Sequence, residues 1–203
     1  MAVERPPFAI ELPGPKTDGT MPLEQSLLKR RSVRSFQPLP LTLEQVAQLM
    51  WATQGISSSR GDRTAPSAGA TYPLEIYVAA GDVDGLAPGI YRYRPREHDM
   101  IAIREGDMRD PLTRASLRQG AIRKVSTVFV ITSVYARTTG RYGDRGIRSV
   151  HMEAGHAAQN LCLEAVALEL GAVVIGAFHD RDVHKVLGVG KEEIPLYVIP
   201  VGK

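Results

Sequence analysis

The 203-residue sequence predicts an α+β domain rather than a doubly wound sheet. Three observations carry that reading. Helical and strand-like segments follow one another in mixed order instead of alternating. Strand-like segments come in succession between residues 74 and 103, as in a meander. One long segment, 149–170, is apolar around most of a helical circumference, as a core helix is.

Element by element, residues 1–19 are rich in proline with few periodic apolar positions, so they read as an extended arm preceding a domain over 20–203. Helix signals begin at Thr20, with Pro22 just inside and Leu23, Leu27 and Leu28 on one face. A second helix opens at Thr42, whose capping-box partner is Gln45. Its stripe is Leu43, Val46, Ala47 and Met50, and Gly55 stops it. Residues 56–73 are a polar loop of Ser, Gly and Pro. Strands follow at Leu74–Ala80, Gly89–Tyr93 and Met100–Ile103, with Pro95-Arg96-Glu97 at a bend. Asp110-Pro111 caps a short helix reaching about Gln119, and Val125–Tyr135 is a buried strand. A glycine-spaced basic loop is expected over 137–148, then the long helix from Ser149 to Leu170, ended by Gly171. Ala172–Phe178 reads as a buried strand, Asp180 as the cap of a short helix, and Ile194–Val201 as a closing strand.

Composition narrows the function classes. Hydrophobic residues make up 43% and charged residues 23%, as in a soluble globular protein, and the core is large enough for one domain. The single cysteine, Cys162, allows no intramolecular disulfide, and no apolar stretch reaches the length of a membrane span. Cytoplasmic residence is therefore the expectation. A net charge of +3 is too mild to argue for nucleic acid. No HExxH or Cys/His spacing is present, so no metal is expected. Neither a Walker A loop, a dinucleotide fingerprint nor a GxSxG elbow is found.

Three stretches could carry chemistry. Arg30-Arg31-Ser32-Val33-Arg34 follows the first helix directly, and guanidinium forks with a hydroxyl suit a phosphate. The same run also reads as a solvated basic helix end, favourable against the helix dipole. Ala65-Pro66-Ser67-Ala68-Gly69-Ala70 precedes a strand, and its small residues let backbone approach a flat ligand. An ordinary turn-rich loop has the same composition. Ile175-Gly176-Ala177 ends a buried strand, where glycine leaves an N–H open to a ligand edge or forms a simple bulge. A rival from another class is a nucleic-acid-binding module using Arg30–Arg34 and the 137–148 loop, against which the 6% aromatic content counts.

In this order the segments resemble the nitroreductase family, most of all its branch of SagB-type dehydrogenases. The resemblance rests on LPGP at 12–15, SLLKRRSVRSF at 26–36, PSAGATYPLEIYV at 66–78 and GIYRYRPREHDM at 89–100. It continues through 141–178, RYGDRGIRSV to VVIGAF, and LYVIPVGK at 196–203. It implies a central, mostly antiparallel sheet flanked by helices, two interlocked subunits, and FMN in pockets at their interface. Arg30, Arg31 and Ser32 would hold the phosphate. Arg34 would sit near the pyrimidine edge of the ring. Pro66, Ser67, Ala68 and Gly69 would line the flavin from the other subunit, and the backbone of Ile175, Gly176 and Ala177 would contact it near N5. Gly69, Ala70 and Tyr72 stand where many relatives carry Asn and Gln, and Lys203 takes the place of a C-terminal basic phosphate ligand. Hydride would pass from NADH or NADPH to a small nitro- or quinone-type acceptor in ping-pong fashion, with no obligatory side-chain acid or base. In the SagB-type alternative an azoline ring on a peptide is oxidised with oxygen as acceptor. There Arg141-Tyr142 stands where a catalytic Lys-Tyr pair is expected. A flavin carrier without turnover is a further possibility.

Overall fold

The computed structural model describes residues 9–203. Seven strands form one sheet: β1 (Ala9–Glu11), β2 (Leu74–Ala80), β3 (Gly89–Arg94), β4 (Asp99–Glu105), β5 (Thr127–Val134), β6 (Gly171–Ala172) and β7 (Glu193–Gly202). Their order across the sheet is β1-β4-β3-β2-β5-β7-β6, and every neighbouring pair is antiparallel. Helices α1 (Leu23–Lys29), α2 (Leu43–Gln54), α3 (Arg109–Ala115), α4 (Ala136–Tyr142), α5 (Arg145–Ala167) and α6 (Asp180–Leu187) surround it. The α+β expectation holds.

The two-residue period of a strand sends alternate side chains to two cores. From the central strands, Ile76, Val78, Phe129, Ile131, Ile199 and Val201 pack under α2 and α5. Their neighbours Tyr77, Ala79, Val128, Val130 and Val198 face the opposite way, toward α3 and α6. Helix α2 supplies Val46, Leu49 and Met50 to the first core, and α5 supplies Val150, Ala154, Leu161 and Ala165. The alanines let α5 lie close to the sheet, while each buried Leu or Ile adds about 1.5–3 kcal/mol of transfer free energy. Thr42 caps α2 as expected, its Oγ1 accepting from Gln45 N at 3.2 Å while Thr42 N donates to Gln45 Oε1 at 3.0 Å.

The sheet buries a polar knot on the β5–β7 seam. Tyr77 O–H and Thr132 O–H each donate to Glu193 Oε2 at 2.8 Å, beside the register shift between Ile131 and Thr132. Pro195, which has no N–H to give to the ladder, pairs with Thr132 at that shift.

The described part of the 1–19 arm packs on the domain: residues 9–11 form β1 on the edge of β4, and Lys16 and Gln48 exchange two hydrogen bonds at 2.9 and 3.0 Å. Residues 1–8 lie outside the described residues. Other expectations are corrected. The 137–148 segment is helical over α4 and again from Arg145. Among its three glycines only Gly143 breaks the helix, with φ 57°. Helix α5 is therefore longer than the expected 149–170 at its start. It is not buried all round: Met152 is 55% exposed, while Glu153 beside it is 2% exposed. The first residue before α3 is Met108 and before α6 is His179, so neither Asp110 nor Asp180 is the cap. Helix α1 starts only at Leu23, and its Leu27 and Leu28 are 53% and 65% exposed.

Candidate active site

The basic run is clasped to the edge of the sheet. After α1 ends, Val33 N donates to Ala172 O at 3.0 Å, Ser32 pairs with Ala172 in parallel, and Gln37 N donates to Lys203 O at 2.6 Å. The approach is close enough that a Cβ on Gly171 would stand 2.7 Å from Val33 Cγ1, so β6 needs glycine there. Arg31 folds back, Nη1 donating to Leu28 O at 3.0 Å and Arg30 O at 2.7 Å, which satisfies carbonyls at the end of α1. Among the described residues no carboxylate pairs with Arg30, Arg31 or Arg34. The charge of Arg30 is felt at Cys162 of α5, where it opposes the burial that pushes the thiol up to about 11.

The apolar run after β6 does not continue as the expected strand. Past Ala172 Val173 N donates to Pro200 O at 3.4 Å and Ile175 bridges to Val198, its N donating to Val198 O at 2.9 Å and its O accepting from Val198 N at 3.0 Å. Ile175 turns inward, whereas Val174, Gly176 and Ala177 are exposed, leaving a ledge of small apolar surface beside the arginines. The nearest atom to a Cβ built on Gly176 is Tyr197 Cε1 at 3.9 Å, so this ledge is open. Gly176 lies four residues beyond Ala172, a path of at most about 14 Å.

A second cluster forms around the small-residue loop. Ala68–Ala70 make a 3₁₀ turn, and Gly69 (φ 61°), Ala70 (φ 53°) and Tyr72 (φ 45°) are all left-handed. For the two non-glycine residues such backbone costs about 1–3 kcal/mol each, and strain of this kind gathers at functional sites. Ser67 Oγ accepts from Tyr72 N at 2.9 Å. Arg141 Nη1 of α4 donates to Gly69 O at 3.1 Å, and a Cβ on Gly69 would stand 2.5 Å from the Tyr142 hydroxyl oxygen. Beneath lies Glu153, which sequence reasoning passed over although a lone acid within an apolar stripe signalled it. It accepts from Gln54 Nε2 at 3.1 Å, and Gln54 Oε1 accepts from Arg63 Nη1 at 3.3 Å. Burial raises the Glu153 carboxyl above its ordinary range, and hydrogen bonds from Ser67 and Gln54 oppose it. Asn160 ties the helix to this loop, its Nδ2 donating to Thr64 O at 3.1 Å.

One chain does not bring the two clusters together. Glu153 marks one and Cys162 the other, nine residues apart on α5. That separation is about 14 Å along the axis and half a turn around it.

An antiparallel sheet with helices on both faces and an arginine run fastened to its edge define an oxidoreductase of the nitroreductase fold. A model of the nitroreductase family matches residues 27–203, and the chain belongs to that family. Over 181 residues it is 46% identical to a protein of Methanocaldococcus jannaschii named as a nitroreductase, covering 89% of this chain and 90% of that relative. A nitroreductase structure from Ralstonia eutropha superposes with a TM-score of 0.83 at 29% identity, covering 97% of this chain and 89% of that one. One from Anabaena variabilis gives 0.80 at 33% identity, covering 89% of this chain but 38% of the other. The chain is also 25% identical to a trifolitoxin operon protein of Rhizobium leguminosarum over 192 residues. There it covers 87% of itself and about half, 54%, of the relative. Among the described residues no helix is long and apolar enough to cross a membrane, and no group of three or more His, Cys, Asp or Glu could hold a metal ion.

Proposed function

We propose that this chain is an FMN-dependent oxidoreductase that works as a homodimer. It would take hydride from NADH or NADPH and deliver it to a small nitro- or quinone-type acceptor in alternating half-reactions. The observation that carries the reading is the donor set Arg30, Ser32 and Arg34, free of carboxylates and fastened next to the open ledge of Val174–Ala177. A phosphate monoester fits that donor set, and a flat ring fits the ledge, so the residues present suit FMN. Bound FMN would supply the hydride chemistry that no side chain here provides.

The protein's own tasks follow from its residues. Arg30 and Ser32, with Lys203 beside Gln37, would hold the phosphate, and Arg31 would add charge while bracing the end of α1. Arg34 would place positive charge where negative charge develops on the ring, which favours reduction. Ile175, Gly176 and Ala177 would support the ring from one subunit. Pro66, Ser67, Ala68 and Gly69 of a second copy would close it from the other side, because within one chain that loop lies on the far side of α5. The exposed leucines of α1 and exposed Met152 and Ile147 of α5 are the apolar surface such a partner would cover.

A second reading is favoured by the trifolitoxin operon relative: oxidation of an azoline in a modified peptide, with oxygen as acceptor. Arg141 speaks against a base role there, since a guanidinium keeps its proton and this one is anchored on Gly69 O. Arg141 and Tyr142 then position the loop.

The test is an absorption spectrum and a solution mass of the purified protein, followed by anaerobic NADPH or NADH. A yellow dimer that bleaches is expected. A colourless monomer that takes up no added FMN would sink the proposal. A yellow protein that never bleaches would mark a carrier.

A further inference from the structure

A cleft of about 370 Å³ opens where the 56–73 loop, the β3–β4 hairpin and α4 meet. Five arginines line it: Arg63, Arg92, Arg94, Arg96 and Arg137. Two are neutralised. Arg94 is paired with the fully buried Asp99, its Nε donating to Oδ1 at 2.7 Å, and Arg137 Nη2 donates to Glu75 Oε1 at 2.5 Å. The remaining carboxylate of the cleft, Glu97, acts on Arg94. Among the described residues Arg63, Arg92 and Arg96 form no salt bridge, although the charges of Glu75 and Glu153 act on Arg63.

Arg63 is the most telling. Its guanidinium carbon lies 4.5 Å from the centroid of the Tyr72 ring, its Nη1 donates to Gln54 Oε1 at 3.3 Å, and its buried Nε has no hydrogen-bond partner among the described residues. A buried, unanswered donor on a cation costs stability unless a ligand answers it. Burial works against the charge on Arg63; Glu75, Tyr72 and Glu153 support that charge, and the like charge of Arg96 opposes it. Arg63, Arg92 and Arg96 face one cavity and together carry the charge and the guanidinium donors that would receive an oxyanion. The cleft also adjoins the reaction site proposed above. Arg137 Nη1 donates to Tyr72 O at 3.0 Å, and Arg141, one turn further along α4, donates to Gly69 O.

We infer that Arg63, Arg92 and Arg96 form a recognition site for an oxyanion, a phosphate monoester or a carboxylate, carried by one of the molecules that react at the adjoining loop. Its link to turnover rests on the oxidoreductase reading; anion binding itself does not. The site gives preference to an anionic hydride donor or acceptor over its neutral counterpart, because guanidinium forks recognise planar or tetrahedral oxyanions bidentately.

The test uses the whole purified protein. Inorganic phosphate, adenosine 2′-monophosphate and benzoate are titrated calorimetrically against the parent, Arg92→Gln/Arg96→Gln, and Arg96→Gln alone. Arg96 is exposed on a turn, so its single variant folds even where the pair is unstable. Arg181→Gln, an exposed arginine on α6, is the control for net charge. Loss of one charge-assisted contact lowers affinity roughly tenfold, so about tenfold is expected for the single variant and about a hundredfold for the pair, with less than about twofold for the control. Equal losses in the control, or none in either cleft variant, overturn the inference. Steady-state kinetics then separate the sources. A raised KM for NADPH with NADH unchanged assigns the site to a phosphate monoester on the donor. A raised KM for a carboxylated acceptor and not for its neutral analogue assigns it to a carboxylate. A protein that binds these anions through the cleft yet transfers no hydride would keep this inference and end the oxidoreductase reading.

Discussion

Gly171→Ala probes how the arginine run is attached to the sheet. The new methyl would stand 2.7 Å from Val33 Cγ1, 2.8 Å from its Cβ and 3.0 Å from its Cγ2, all inside the closest approach that carbon atoms tolerate. Because three atoms of one branched side chain block it, no rotation of Val33 clears the space. The segment 32–34 must move off β6, straining the bond from Val33 N to Ala172 O. Overpacking of this order costs about 1–3 kcal/mol. Alanine also restricts the unfolded chain, returning about 0.4–1 kcal/mol, so the net loss is about 1–2 kcal/mol. For a chain of this size that lowers the melting temperature by about 2–8 °C. Val33→Gly removes the obstacle, and the double variant should recover at least about half the loss in a urea-denaturation cycle. Strictly additive effects of the two substitutions would refute the claim that this contact fastens the segment.

Arg30→Ala should weaken FMN binding about 10- to 150-fold by fluorescence titration, the worth of a charged hydrogen bond, while melting moves by less than about 2 °C. Unchanged affinity with collapsed melting would mean that Arg30 is structural. Glu153→Gln tests the buried carboxyl. Its folded-state value is raised above the unfolded one, so the parent's stability is fully present below pH 4.5 and falls as pH rises through the elevated value. The variant should therefore gain on the parent across that window, less whatever Arg63 loses with the charge. Parallel melting curves at every pH would contradict the burial argument. Tyr77→Phe leaves Glu193 Oε2 with Thr132 alone in the sheet and should cost about 1–3 kcal/mol in denaturant unfolding; a neutral effect would mean that water replaces the phenol.

Much of the architecture was legible because it rests on local chemistry. The Thr42–Gln45 box and the apolar runs of β2 and β5 each announce themselves within ten residues. What stayed hidden depends on distant partners. Strand β1 is three residues long and exists because Met100 and Ile101 accept it as a neighbour. The run 173–178 is as apolar as any strand, yet it lacks a partner beyond Ile175, so it became a ledge. Gly140 and Gly146 read as helix breakers, but glycine only weakens a helix by about 1 kcal/mol, and packing overrode it. The arginine run and the small-residue loop were found from residue type and order. Their separation onto two sides of α5 was not, since it follows from how the helix is seated. The cleft arginines come from a loop, a hairpin and a helix, which nothing in their spacing joins.

The hydrogen bonds that pin the basic run reach far along the chain: from Val33 to Ala172, a separation of 139 residues, and from Gln37 to Lys203, a separation of 166. Closing such large loops is slow and entropically costly, so the cradle is assembled only once β7 has joined the sheet. Occupancy of the cradle is thereby coupled to the cohesion of the entire domain. A molecule held there resists global unfolding by mass action instead of merely stiffening one surface loop.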